Sequence, residues 1–248
     1  MFESRKCVGY EGVMRPFRII GNLYYVGTFQ ACSHLIDTGD GLILIDTGYD
    51  NTLYLVVHSM HLLGFDPRDI KYIINTHWHW DHTEGTKELA GLSGAKTIIG
   101  EKDYEAAKRY FDADITVRDG DSLSLGNTTI RFMETPGHTK GTISMFFDVT
   151  ENGKTYRVGT FGGAGANTLL KDTFEYETCR EDYFASIDRL RKEHVDVFMA
   201  NHTWNNDTEA KSEILLKTGE NQFIDETLFG KFLNHCEERL RKIIEEGR

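Results

Sequence analysis

Thr76-His77-Trp78-His79-Trp80-Asp81-His82 follows directly on an apolar, β-like run, Lys71-Tyr72-Ile73-Ile74-Asn75. Side chains alternate along a strand, so His77 and His79 project to one side if extended geometry continues through Trp78. Asp81 and His82 come where a helix or turn can begin, and they point elsewhere. The spacing therefore supplies two adjacent ligand sets. Imidazole nitrogens with one carboxylate are donors that Zn²⁺ accepts. A lone histidine reads as a surface or hydrogen-bonded core residue, whereas four ligand-type residues clustered at a strand end read as a metal motif.

Around this stretch the chain reads as one α/β domain. Its 248 residues suffice for a substantial core, and three prolines with no Pro/Ser-rich stretch leave no linker, so residues 1–248 are expected to form one unit. Short apolar runs flank Gly21-Asn22 (Phe17 to Ile20, Leu23 to Val26) and Gly39-Asp40-Gly41 (Ser33 to Asp37, Leu42 to Asp46), as β-hairpins do. Thr52 to Leu63 has helical apolar spacing, with Gly64 as its cap. Thr83 to Leu89 reads as a short helix, Thr97 to Ile99 as a strand and Glu101 to Phe111 as a helix. Further hairpins are expected around Gly126-Asn127 and Glu151-Asn152-Gly153, then a helix over Arg180 to Glu193 and a strand over Val195 to Ala200. Helices over Glu209 to Leu216 and Phe229 to Ile244 close the chain, the last packing on the same domain. Alternating strands and helices indicate the α/β class.

The net charge of −11 disfavours phosphate backbones and anionic membrane surfaces as partners. No apolar run approaches a bilayer span, and Met1-Phe2-Glu3-Ser4-Arg5-Lys6 has no apolar segment of a secretory signal behind it. Cys7, Cys32, Cys179 and Cys236 are far apart and unpaired in pattern, which reads as idle thiols. The expectation is a cytoplasmic protein with a small-molecule substrate and neither nucleic-acid nor membrane partner.

Two later stretches carry more histidines: Thr135-Pro136-Gly137-His138-Thr139-Lys140-Gly141, and Asn201-His202-Thr203-Trp204 after a strand. Together with the first stretch, with Asn22-Leu23-Tyr24-Tyr25-Val26-Gly27 and with Leu44-Ile45-Asp46-Thr47-Gly48, they make the chain resemble the metallo-β-lactamase superfamily over roughly residues 16–216. The resemblance implies a four-layer αβ/βα sandwich of two mixed sheets with outer helices, and a metal site at one edge between them. The subclass B3-like arrangement fits best. It implies one zinc on His77, His79 and His138 and a second on Asp81, His82 and His202. His34, His58, His61, His194 and His235 have no motif around them and read as surface or core residues.

Many relatives, such as glyoxalase II or the acyl-homoserine lactonases, place a metal-bridging aspartate after the His138 loop. The hairpin at Glu151 to Gly153 returns to the site near Phe161 to Gly163, where no Asp or Cys stands, and Asp148 lies near its far tip. That absence favours the B3-like set. Against a β-lactamase in particular, Gly162 to Gly165 is glycine and alanine where B3-like relatives use serines toward the substrate carboxylate, and those relatives are exported.

The implied chemistry is attack on the carbonyl of a cyclic amide or ester, a β-lactam or lactone, by hydroxide activated between two zinc ions. The three-histidine site polarises the carbonyl, and the Asp81/His82/His202 site stabilises the leaving group. Asp81 also orients the nucleophile and passes its proton on. Asp46 reads equally as support for a ligand or as a turn residue. Trp78, Trp80 and Trp204 line a substrate wall or pack beneath the site, packing being the commoner fate. The Gly162 to Gly165 stretch lacks the Lys-Ser/Thr of a phosphate loop and reads as a flexible rim. Other readings are a thioester or phosphodiester hydrolase of the same fold, or a non-hydrolytic iron-binding redox module.

Overall fold

The computed structural model describes residues 12–248, so Cys7 and the Met1 to Lys6 stretch lie outside the described residues. The chain begins as the expected meander: β1 (Phe17–Ile20), β2 (Leu23–Tyr25), β3 (His34–Asp37) and β4 (Leu42–Ile45). Helix α1 (Leu53–Leu62) leads to β5 (Ile70–Ile74), and α2 (Trp80–Thr83) and α3 (Thr86–Ser93) lead to β6 (Lys96–Gly100). A single helical turn, α4 (Tyr104–Ala107), precedes β7 (Ile115–Val117). These seven strands form one sheet in sequence order, antiparallel from β1 to β4 and parallel from β4 to β7.

The second sheet has β8 (Ser122–Leu125), β9 (Thr128–Glu134), β10 (Ile143–Glu151) and β11 (Lys154–Gly159), with β12 (Val197–Phe198) added parallel to β11 after helix α5 (Cys179–Leu190). Helices α6 (Thr208–Thr218) and α7 (Leu228–Glu245) finish the chain.

Strand alternation sorts the apolar side chains into layers. In the first sheet Ile36, Ile43, Ile45, Ile74 and Ile98 face the second sheet, where Ile130, Phe132, Ile143, Met145, Phe147 and Val149 meet them. The intervening Leu35, Leu42, Leu44 and Ile73 turn outward beneath Leu53, Val56 and Met60 of α1 and Leu89 of α3. On the far side Met133 and Phe146 pack with Tyr183, Ile187 and Leu190 of α5 and Phe229, Leu233, Cys236 and Leu240 of α7. Both faces of each sheet are covered, which is why Leu42 to Ile45 reads as a continuous apolar run. The four layers are those the resemblance implies.

Local differences have physical causes. The expected helix over Glu101 to Phe111 shrinks to a 3-10 turn and α4, because Asp103 turns inward to take hydrogen bonds from other loops. Strand β7 has three residues, too few for alternation to register, and β12 keeps only two of the six expected. Cys179 and Cys236 are buried free thiols, as expected, and Cys32 is buried too. No helix among the described residues is long and apolar enough to cross a membrane.

Parallel β4, β5 and β6 all end at the same edge as the loops after β9, β11 and β12. Backbone bonds join the sheets there, Ile143 N–H to Thr76 O at 2.9 Å and Cys32 N–H to Asn201 O at 2.9 Å. The carboxyl ends of parallel strands are where α/β folds place their sites.

The apolar face of α7 sets one expected outcome. Leu233 is fully buried, so Leu233→Ala should lower the urea unfolding free energy by about 2–5 kcal/mol, while Glu238→Ala on the exposed face should change it by less than about 0.5 kcal/mol. A second concerns His34, buried edge-on to Tyr25, whose burial lowers its pKa from 6.5 to about 3. The unfolded chain binds that proton first, so stability is lost as pH falls from 6.5 towards 3. His34→Gln should flatten that slope by up to one proton, about 1.4 kcal/mol per pH unit, in denaturant titrations across the range.

Candidate metal centre

Asp46 sets the geometry from which the centre is built. It closes β4 in the left-handed region at φ 58°, a conformation an aspartate tolerates when its bonds over-determine it. Its Oδ1 accepts from the Thr76 N–H at 2.8 Å, and its Oδ2 accepts from the Thr76 hydroxyl and from His82 Nδ1, both at 2.8 Å. The two readings left open for Asp46 are thus both realised: it shapes the turn and it orients His82.

Three imidazoles then converge. His77 Nδ1 donates to the Gly162 carbonyl at 3.0 Å, and His138 Nδ1 donates to the Gly165 carbonyl at 2.7 Å. His79 Nε2 donates to a Glu175 carboxylate oxygen at 2.6 Å. Carbonyls and carboxylates only accept, so each bond fixes a tautomer and leaves the other ring nitrogen as a lone pair. Those remaining nitrogens face each other: His79 Nδ1 lies 2.9 Å from His138 Nε2, and His77 Nε2 is buried with no hydrogen-bond partner among the described residues. Facing acceptors repel unless a cation lies between them. The three ligand atoms lie within 4.8 Å of one another, so this donor set fits a metal ion. Burial first, then the neighbouring imidazoles, hold the His77 pKa well below 6.5, and burial brings His138 to about 3, so both rings are neutral and able to ligate.

The second expected set is also assembled, more loosely. Asp81 Oδ2 lies 3.4 Å from His82 Nε2 and 3.5 Å from His202 Nε2. His202 reaches the site because its segment pairs with residues 30–32, through the Ala31–His202 bridge and the Thr203 N–H to Gln30 O bond of 3.0 Å. The tightest grouping on this side is His77, Asp81 and His82, within 4.8 Å, with His202 just beyond. Burial raises the Asp81 pKa, but His82, His202 and His79 together outweigh it, so the carboxyl is acidified and ionised at neutral pH. Burial takes His202 down to about 4. The other histidines lie apart: His34 is in the core, and His58, His61, His194 and His235 are exposed.

Several participants carry no local sequence signal. Asp103, just past β6, accepts from the Trp78 N–H (3.1 Å), the Thr139 hydroxyl (2.7 Å) and the Gly141 N–H (2.6 Å). It thereby ties the His77–His82 stretch to the His138 loop. Glu175, between β11 and α5, also accepts from the Trp78 indole N–H at 3.2 Å. The Gly162 to Gly165 stretch, expected as a rim, is packed closely against the imidazoles. A Cβ on Gly162 would strike the Ile143 carbonyl and one on Gly163 would come 2.8 Å from the His138 ring, so glycine lets the backbone close on the imidazoles. Trp78 packs as expected, against Ile99, Ala107 and Phe111, whereas two tryptophans depart from that expectation: Trp80 is 48% and Trp204 59% exposed, the latter stacked on His202 at 4.4 Å.

An amide at residue 103 would turn an NH₂ toward one of the three donors. Asp103→Asn should therefore cost about 1–3 kcal/mol in denaturant unfolding and weaken zinc uptake in chelator competition. Asp103 itself, raised by burial to about 6, keeps a proton in the native state that the unfolded chain has lost above 3.8. Its stabilising contribution is complete below 3.8 and is lost as pH rises through about 6.

With this geometry in view, the relatives are informative. Of solved structures, the subclass B3 metallo-β-lactamase BJP-1 of Bradyrhizobium japonicum superposes with a TM-score of 0.88 at 28% identity, covering 94% of each chain. The native metallo-β-lactamase FEZ-1 from Legionella gormanii gives 0.87 at 29% identity, covering 94% of this chain and 96% of that one. In sequence, a hydroxyacylglutathione hydrolase of Rhodospirillum rubrum is 36% identical over 102 residues, 41% of this chain. A second, from Methylococcus capsulatus, is 28% identical over 120 residues, 48% of this chain. The chain spans only 38% and 43% of the length of these two curated relatives. The sequence profile of the Metallo-beta-lactamase superfamily matches residues 26–197, and the chain, with its two mixed sheets, outer helices and histidine cluster at their shared edge, belongs to that superfamily.

Proposed function

We propose that the chain, folded as one domain over its 248 residues, is a dinuclear zinc hydrolase that opens the carbonyl of a small cyclic amide or ester, a β-lactam or lactone. The observation that carries this reading is the set of inward lone pairs on His77, His79 and His138 beside an ionised Asp81. His77, His79 and His138 would hold one ion, and Asp81, His82 and His202 the other. Bound zinc supplies Lewis acidity toward the scissile carbonyl and makes water a nucleophile near neutral pH. The chain's own groups do the rest. The Asp81 carboxylate orients the attacking water, takes its proton and returns it to the leaving nitrogen or oxygen. Asp46 keeps His82 in the tautomer with Nδ1 protonated. No Asp or Cys stands at Phe161 to Gly163, where the hairpin returns to the site, which supports the B3-like ligand set, and Asp148 pairs with Arg157 instead.

A thioester substrate is the second reading, favoured by the curated relatives named as hydroxyacylglutathione hydrolases. The acidic charge of −11 speaks against nucleic-acid phosphodiesters, and the buried free thiols support a reducing, cytoplasmic setting.

Metal analysis followed by a panel of nitrocefin, lactones and a hydroxyacyl thioester of glutathione tests the proposal. Zinc near two per chain and turnover of a cyclic substrate are expected, with His138→Ala lowering it at least about 100-fold. Turnover confined to the thioester would move the assignment to the second reading. Iron in place of zinc, or zinc-loaded protein inactive on the whole panel, would overturn both.

A further inference from the structure

All three outward nitrogens of the His77/His79/His138 trio are held by one segment. Gly162 O takes His77, Gly165 O takes His138, and Glu175 takes His79. The Thr168 hydroxyl adds a 2.7 Å bond to the His138 carbonyl. The segment is in turn pinned from the helical layer behind it. Tyr183 of α5 donates to Ala164 O at 2.7 Å, Arg180 Nε donates to Leu169 O at 2.8 Å, and Lys171 Nζ donates to Gly247 O, past the end of α7, at 2.9 Å.

Within this frame Glu175 differs in kind. The other two outer partners are backbone carbonyls that any residue would supply once the chain is in place. Glu175 is a side-chain carboxylate, and its two oxygens are committed to two adjacent residues, Oε1 to the His79 ring and Oε2 to the Trp78 indole. The side chain is 23% exposed, and that of His79 is 7% exposed. A carboxylate on the outer nitrogen of a ligating imidazole fixes ring orientation and tautomer and raises the basicity of the nitrogen facing the metal. His79 is also the one member of the trio that must ligate through Nδ1, the nitrogen nearer its backbone, so a ring flip would remove it from the centre.

We propose that Glu175 is a positioning residue of the metal centre, locking His79 as an Nδ1 ligand and coupling metal occupancy to the order of the 162–175 segment. This rests on the trio being a metal site, and the test separates the two ideas. Zinc affinity of the 248-residue chain is measured by chelator competition, the ligand field by the visible absorption of the Co²⁺-substituted protein, and segment order by limited proteolysis with and without zinc. Wild type, His138→Ala, Glu175→Gln and Glu175→Ala are compared, each with a melting curve taken in chelator as a control for folding.

The expected result is an affinity loss of about 10–100-fold for Glu175→Ala. Glu175→Gln should show a smaller loss, because its amide oxygen still accepts from Nε2–H but without charge. The cobalt bands should shift in both, while the melting point in chelator stays near that of wild type. Zinc should protect the segment from cleavage in wild type and much less so in Glu175→Ala. Zinc affinity and cobalt spectrum unchanged in Glu175→Ala, with His138→Ala deficient, would overturn this proposal and leave the metal site standing. A wild type that binds neither ion, like His138→Ala, would overturn the metal site and this proposal with it.

Discussion

A neutral imidazole has one proton and one lone pair, so an inward-facing ligand exists only if something outside the centre holds the proton. That constraint organises this structure. Gly162, Gly165, Glu175 and Asp46 each accept from the outer nitrogen of one histidine, and each lies on a different stretch of chain from the ring it holds. The acceptors come from both halves of the molecule. Asp46 is the end of a first-sheet strand, and the other three belong to the connection between β11 and α5. The centre is therefore a property of how the two sheets meet and of no single motif.

The meeting of the sheets is in turn enforced by close backbone approach. Gly100 lies against the Gly141 carbonyl, Gly141 against the backbone of Asp103, and Gly126 against the carbonyl of Thr38. At each place a side chain would wedge the layers apart. The apolar contacts between Ile45, Ile74 and Ile98 on one side and Ile143, Met145 and Phe147 on the other draw the sheets together without direction. The glycines allow the last few ångströms of approach, and the Ile143–Thr76 and Cys32–Asn201 bonds set the register.

This division explains what the sequence disclosed. The ligands sit at strand ends in short, contiguous motifs, so His77, His79, Asp81, His82, His138 and His202 could be picked out by spacing and resemblance, and the layer order followed from that same resemblance. The carboxylates that hold them in place could not be found that way. Glu175 reaches His79 across 96 residues of chain and Asp103 reaches Gly141 across 38, and each looks like one more surface acid among 39. The helix expected at Glu101 fails for the same reason, since local pattern favours helix while Asp103 gains more by turning toward three buried donors. The glycine-rich stretch after β11 was legible as special, but its part in the centre was not: its lack of side chains brings carbonyls close to the imidazoles.

The centre runs against the interests of the fold. Burial of His77, His138 and His202 strips them of water and pushes them toward neutrality, and facing lone pairs repel. Such a cluster survives because the structure around it is over-determined, by an interlayer core on one side and by α5 and α7 behind the outer frame on the other. A cation that binds only the native arrangement stabilises it further by mass action. Metal affinity and fold stability are thus linked through the same residues, and the linkage is strongest where an outer acceptor is a side chain that can be lost without breaking the backbone path. Trp80 and Trp204 stand outside that linkage. Both are exposed beside inward-facing ligands, and neither donates a hydrogen bond to an outer nitrogen of the centre, Trp204 meeting it only by stacking on His202.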